Sequence, residues 1–164
     1  MIENARERVV RWEDPLASLA AIQGMTGLEA LRAVVTGKVP PPPIAMLMNI
    51  RLTEADEGRV VFEGDPGEEH YNPIGLVHGG FALTIMDSSL GCSIHSALPA
   101  NTGYATTDIQ VRLVRPISKD TGHVRCEAKV QHIGRTIGIA EATLVDANGK
   151  LLATGTTACA IMRR

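Results

Sequence analysis

A chain of 164 residues, 45% hydrophobic and 21% charged, is long enough for one globular domain with a real core. A net charge of -2 without any basic stripe gives no electrostatic case for nucleic acid. No run approaches the roughly 18 apolar residues of a membrane helix, and the charged start MIENARERVVRWEDP lacks the apolar stretch of a secretory signal. Cys92, Cys126 and Cys159 are odd in number, far apart and in apolar surroundings, so they read as reduced core residues of a cytoplasmic protein. No HxxxH or CxxC spacing occurs, and no metal site is expected.

Residues 1–43 read as a helical extension and 44–164 as the main domain. TGLE at Thr26–Glu29 is a capping box, in which hydroxyl and carboxylate each satisfy a free amide of the first turn. Leu28, Leu31 and Val35 then fall on one face, Gly37 is a stop, and four prolines from Pro40 to Pro43 prevent continuation. From Ile44 the period changes to two, with Met48, Ile50 and Leu52 alternating with polar residues. Asp56–Gly58 turns the chain and RVVFEG returns it. Further strand-like runs follow in TDIQVRLVRP, HVRCEAKVQ, TIGIAEATLVD and LLATGTTACAIM, the last two joined at Asn148-Gly149, a hairpin signal.

Between these runs, Gly79 to about Ala97 is apolar on most sides without alternation, which predicts a helix. An antiparallel sheet with one apolar face needs a cover, and one long helix wrapped by a twisted sheet is the economical arrangement. Inside that helix stands Asp87, and before it runs NPIGLVHGG. Paired glycines at a helix start let a ligand approach the unpaired first amides, which suit a carbonyl oxygen becoming an oxyanion. Asp87 lies eight residues past Gly79, about 12 Å along a helix axis. It cannot serve a carbonyl held at its own helix start, which suggests a site shared between two subunits. The competing readings are plain: Asp87 on a solvated face beside Thr84, Ser88, Gly91 and His95, His78 as a helix-entry residue, and Asn72 as a turn former.

The order of elements and the core Asn72-x-x-Gly75-x-x-His78-Gly79-Gly80, with an acid nine positions after the histidine, resembles the PaaI-type acyl-CoA thioesterases of the hotdog-fold superfamily. The likeness spans residues 44–162 and includes the lead-in LEALRAVVTGKVPPPPIAMLM. It implies an α+β hotdog fold, with five to six antiparallel strands around one long helix, assembled as a homodimer and further as a homotetramer. It implies that Asp87 is a general base on water or a nucleophile, that the Gly79 amide is the oxyanion donor, and that Asn72 orients water or thioester. His78 would support the loop, Thr106 would assist the water, and Gly80 would line the substrate. Coenzyme A is then substrate and no cofactor is expected.

A thioester suits such modest apparatus, because its carbonyl is weakly resonance-stabilised and its thiolate leaves without much protonation. No GxSxG elbow is present. For the coenzyme A portion, Gly134, Arg135 and Thr136 offer a tight turn, a cation and a hydroxyl, against the plainer reading of a strand connection. Phe81, Leu83, Met86 and Leu90 are candidate acyl-lining residues for an aryl, arylacetyl or medium-chain group. The rival functions are a hotdog-fold dehydratase or hydratase, whose HFPxxP-like stretch VHGGF lacks, and a non-catalytic acyl-CoA-binding module, for which no output domain is evident.

Overall fold

The computed structural model describes residues 5–163, so the first four residues of the lead-in and Arg164 lie outside it. Helix α1 (Pro15–Ala21) buries none of its side chains. Helix α2 (Gly27–Val35) starts on the expected capping box: Glu29 N–H donates to Thr26 Oγ1 at 3.3 Å, and Thr26 N–H to Glu29 Oε2 at 2.8 Å. It buries Gly27, Ala30, Leu31 and Ala33 rather than a full Leu28–Leu31–Val35 stripe, and Val35 remains 37% exposed. The small face allows close approach to the long helix: a Cβ on Gly27 would stand 1.7 Å from the His95 carbonyl oxygen.

Helix α3 (Pro43–Met48) occupies residues expected to begin the first strand. Proline supplies its first positions, and Asn49, in the left-handed region at φ 52°, ends it. The strands are β1 (Ile50–Asp56), β2 (Arg59–Gly64), β3 (Thr102–Leu113), β4 (Val124–Ile133), β5 (Ile137–Asp146) and β6 (Leu151–Arg163). They form one antiparallel sheet in the order β1-β2-β4-β5-β6-β3.

Helix α4 (Gly79–Ser96) lies across the apolar face of this sheet, as the sequence predicts within a residue. The sheet admits it by using small residues beneath it, among them Ala128, Ala140, Ala142 and Ala153. A Cβ on Gly155 would come 2.9 Å from Met86 Cε, so helix and strand meet there without space for a side chain. Phe81, Ile85, Met86, Leu90 and Ile94 are fully buried, while Leu83 and Asp87 point away from the sheet. This is the hotdog arrangement. Strand β3 closes one side of the sheet with twelve largely exposed residues and no further neighbour among the described residues, an open edge of the kind that pairs with another chain.

Candidate active site

The Asn72–Gly79 loop is built by exhausting its own hydrogen bonds. Asn72 Oδ1 accepts from the amides of Ile74 and Leu76, both at 3.1 Å, and Asn72 N–H donates to the Leu76 carbonyl at 2.8 Å. Gly75, at φ 80°, takes the left-handed position that closes the turn. The Asn-x-x-Gly spacing thus has a local cause. What Asn72 retains for a ligand is its Nδ2 donor.

Val77 N–H then bonds the Ile117 carbonyl at 2.9 Å, and His78 N–H bonds the His70 carbonyl at 2.7 Å. His78 caps α4: its Nδ1 accepts from Gly80 N–H at 2.8 Å, which puts the ring proton on Nε2. Phe81 N–H is taken by the His78 carbonyl at 2.9 Å. Gly80 therefore serves the cap. Its amide is occupied, and a Cβ there would stand 2.9 Å from His78 Nδ1. Among the described residues, no acceptor is found for the Gly79 amide.

Asn72, His78 and Gly79 share one cleft of about 260 Å³, whose far wall is formed by Leu113 to Ile117. Arg115 puts a cation on that wall, with Nη1 bonded to the Leu151 carbonyl. Arg115 carries no signal of its own in the sequence, where VRP at a strand end looks like any solvated charge.

Asp87 and Thr106 form a separate pair. Both are exposed, and Thr106 Oγ1 donates to Asp87 Oδ1 at 3.0 Å, leaving Oδ2 open. A bulge in β3 between Thr106 and Asp108 lies just past this contact. One turn further along α4, Tyr104 packs on Gly91, where a Cβ would come within 2.7 Å of the ring, and its ring meets that of His95. Burial pushes the neighbouring Cys92 thiol up to about 12, with the Asp87 charge adding to the effect. Burial also raises Cys159. Both remain thiols near neutral pH, and neither is an activated nucleophile.

On one chain the two groups are thus apart, at the start and in the middle of the same helix. Gly134, Arg135 and Thr136 form the tip between β4 and β5. Gly134 N–H bonds the Ile137 carbonyl at 2.8 Å, Ile161 N–H bonds the Thr136 carbonyl at 3.0 Å, and Arg135 is exposed. Register carries this tip past Thr106, since Gly138 and Thr106 both pair with Cys159. It sits at the Asp87 side of the sheet, away from Gly79. Of the acyl-lining candidates, Phe81, Met86 and Leu90 are 1% exposed or less and belong to the core; Leu83 alone, at 41%, faces outward. A helix apolar on most sides does not reveal which of its apolar residues the sheet claims.

Residues 74–153 match the model of the thioesterase superfamily. Human acyl-coenzyme A thioesterase 13 is 30% identical over 111 residues, covering 67% of this chain and 78% of the relative. The chain belongs to the thioesterase superfamily. A 1,4-dihydroxy-2-naphthoyl-CoA hydrolase of Listeria monocytogenes is 22% identical over 71% of this chain and 94% of its own length. The solved E. coli PaaI protein from the phenylacetic acid degradation operon superposes with a TM-score of 0.71 at 17% identity, over 84% of this thioesterase and 95% of that chain. Thioester hydrolysis is accordingly the general activity of this thioesterase.

Proposed function

We propose that this thioesterase hydrolyses acyl-CoA as a homodimer, with the Gly79 amide of one subunit facing Asp87 of the partner subunit. The observation that carries the reading is the unpaired Gly79 N–H at a cleft, on the same helix as an exposed carboxylate eight residues away. A separation of about 12 Å along that helix keeps the two from meeting on one chain. A second chain paired on the open edge of β3 would bring two such helices side by side, and a dimer of dimers is the expected further assembly. The relatives' activities toward coenzyme A thioesters support coenzyme A as the acyl carrier.

In this scheme the thioester oxygen accepts from Gly79 N–H, with Asn72 Nδ2 as a second donor toward the thioester or the attacking water. Thr106 donates to Asp87, accepts a long bond from Cys159 Sγ and has one lone pair left for a water proton, so hydroxyl and carboxylate hold one water between them. Asp87 removes a proton from that water as its oxygen bonds to the carbonyl carbon. The tetrahedral intermediate carries its negative charge at the Gly79 amide. It collapses by breaking the C–S bond; the free acid and the coenzyme A thiolate leave, and the proton on Asp87 passes to the thiolate or to solvent. No cofactor enters the cycle. Leu83 beside Asp87, with Leu113 and Val114 at the cleft, suits an apolar acyl group of the aryl, arylacetyl or medium-chain kind. Arg135, on the tip nearer Asp87, would meet the coenzyme A phosphates.

The test is thiol release from a panel of acyl-CoA substrates. Asp87→Asn should lower kcat by about 10²- to 10⁴-fold while the fold persists. Unaltered release by that variant overturns the mechanism, and binding without release by the wild type favours an acyl-CoA-binding module.

A further inference from the structure

His70 is absent from the scheme above, yet four observations tie it to the Gly79 amide. Its carbonyl accepts from His78 N–H at 2.7 Å, one residue before the amide in question. Its ring lies against Phe81 in the first turn of α4, with centroids 5.0 Å apart and planes tilted by 51°. Its Nδ1 accepts from Gly67 N–H at 3.0 Å, which closes the short 3-10 turn Glu68–His70 and leaves the ring proton on Nε2. That Nε2 is buried and makes no well-formed hydrogen bond among the described residues, with the Leu47 backbone the polar group that still acts on the ring.

We propose that His70 is a positioning residue for the Gly79 amide, its carbonyl and its neutral ring together holding the first turn of α4 at the angle the oxyanion needs. The inference rests on Gly79 being the oxyanion donor. A single residue here grips both sides of the loop: Gly67 through Nδ1, the helix start through the carbonyl and the ring face. A second proton would have to go to Nδ1, where it would meet Gly67 N–H head-on and release that side of the grip. The charged groups facing the ring are Glu69, which favours the protonated form, and Arg8 of the N-terminal segment, which opposes it. Burial outweighs both and holds the imidazole neutral into more acidic solution than a free histidine. The site uses an acceptor at Nδ1 and a flat ring at once, a combination that an imidazole supplies.

Two measurements test this. In wild-type protein, long-range ¹H–¹⁵N correlation at pH 6 should show His70 neutral with the proton on Nε2; a charged ring or an Nδ1–H tautomer overturns the proposal, whatever happens to any variant. In thiol-release kinetics, His70→Ala should lower kcat by roughly 10- to 100-fold, since a misplacement of about 1 Å is worth that much. KM should stay within about twofold, because an oxyanion donor acts on the transition state. His70→Asn, which restores an acceptor for Gly67 N–H, should recover part of the loss. A lower Tm with kcat intact would mean a structural role only, and a raised KM alone would mean contact with substrate. If the oxyanion assignment itself is wrong, Gly79→Pro, which deletes the amide, fails to impair hydrolysis. If only His70 is misassigned, Gly79→Pro impairs it and His70→Ala does not.

Discussion

The two halves of the proposed site are built by opposite means. From Asn72 to Phe81 all other backbone N–H groups are committed to the loop and the cap, and the Gly79 amide is what that accounting leaves over. Around Asp87 and Thr106 little is committed: the two exposed side chains, one on α4 and one on β3, share one hydrogen bond, and Thr106 takes a long one from Cys159 Sγ at 3.9 Å. The first half is therefore a property of backbone geometry, sensitive to anything that moves the helix start. The second is a property of two side chains and depends on what covers them. A backbone donor cannot be removed by trimming a side chain, so the comparison needs a substitution that deletes the amide and keeps the helix.

Gly79→Pro does this. Gly79 is the first residue of α4, where proline is tolerated, and His78, at φ −59° and ψ 138°, already has the extended conformation that a residue before proline requires. Loss of the amide should cost about 10²- to 10³-fold in kcat with the helical circular dichroism retained. Because a Cβ at this position would stand 3.0 Å from Leu113 Cδ1, the variant is best compared with Gly79→Pro/Leu113→Ala, which relieves that contact. Activity near wild type in either would remove the amide from the mechanism. The sharper form mixes Asp87→Asn with Gly79→Pro subunits. Each alone is nearly inactive, but a heterodimer places an intact Gly79 opposite an intact Asp87 in one of its two sites. It should recover about half of the wild-type rate, and no recovery would place both groups on one chain's site.

A smaller effect separates the side-chain half into its parts. Thr106→Val removes one hydrogen bond, at 3.0 Å, to the carboxylate. A charge-assisted bond of this kind is worth about tenfold in kcat, and Thr106→Ser should restore most of it. A loss as large as that of Asp87→Asn would mean that the hydroxyl, rather than the carboxylate, is the indispensable partner of the water.

Where local chemistry acts alone, the sequence was sufficient. The Thr26–Glu29 box, the alternation in HVRCEAKVQ and the length of the apolar run after Gly79 each have a cause within a few residues, and each element stands where expected. The Asp87–Thr106 contact joins residues 19 apart, yet it follows once β3 is laid beside α4. The strand-like reading of Ile44–Met48 failed because Met48, Ile50 and Leu52 continue a period of two across a real boundary. Proline at the first helical positions and the helix-favouring Ala-Met-Leu-Met were the overlooked signals. In the acyl-lining set, Phe81, Met86 and Leu90 turned inward for a different reason: which apolar side of α4 meets the sheet is decided by Ala and Gly residues on β4, β5 and β6, distant in sequence. His70 and Arg115 gain meaning only from partners across the loop, and no spacing rule announces them.

The weakest effect expected lies on the sheet face turned away from α4, and it tests whether the comparison between the two halves is complete. There Glu127 meets Arg59 at 2.9 Å, Lys129 at 2.8 Å and Arg125 at 3.1 Å. Hydrogen bonds, first from Arg59 and then from Lys129, hold its carboxyl at about 2, below the ordinary 4.5. A carboxyl with a depressed folded-state pKa stabilises the fold fully above its unfolded value and loses that contribution as the pH falls from about 4.5 to about 2. Glu127→Gln should therefore lower Tm at pH 7 by a few degrees, corresponding to about 1 kcal/mol or less for a partly exposed network. The gap to wild type should narrow below pH 4.5, close near pH 2, and shrink in high salt. Thermal unfolding across pH measures it, and kcat should not change. A change in kcat would tie this outer face to the chemistry across the sheet. The catalytic contrast could then no longer be drawn between the Gly79 and Asp87 regions alone.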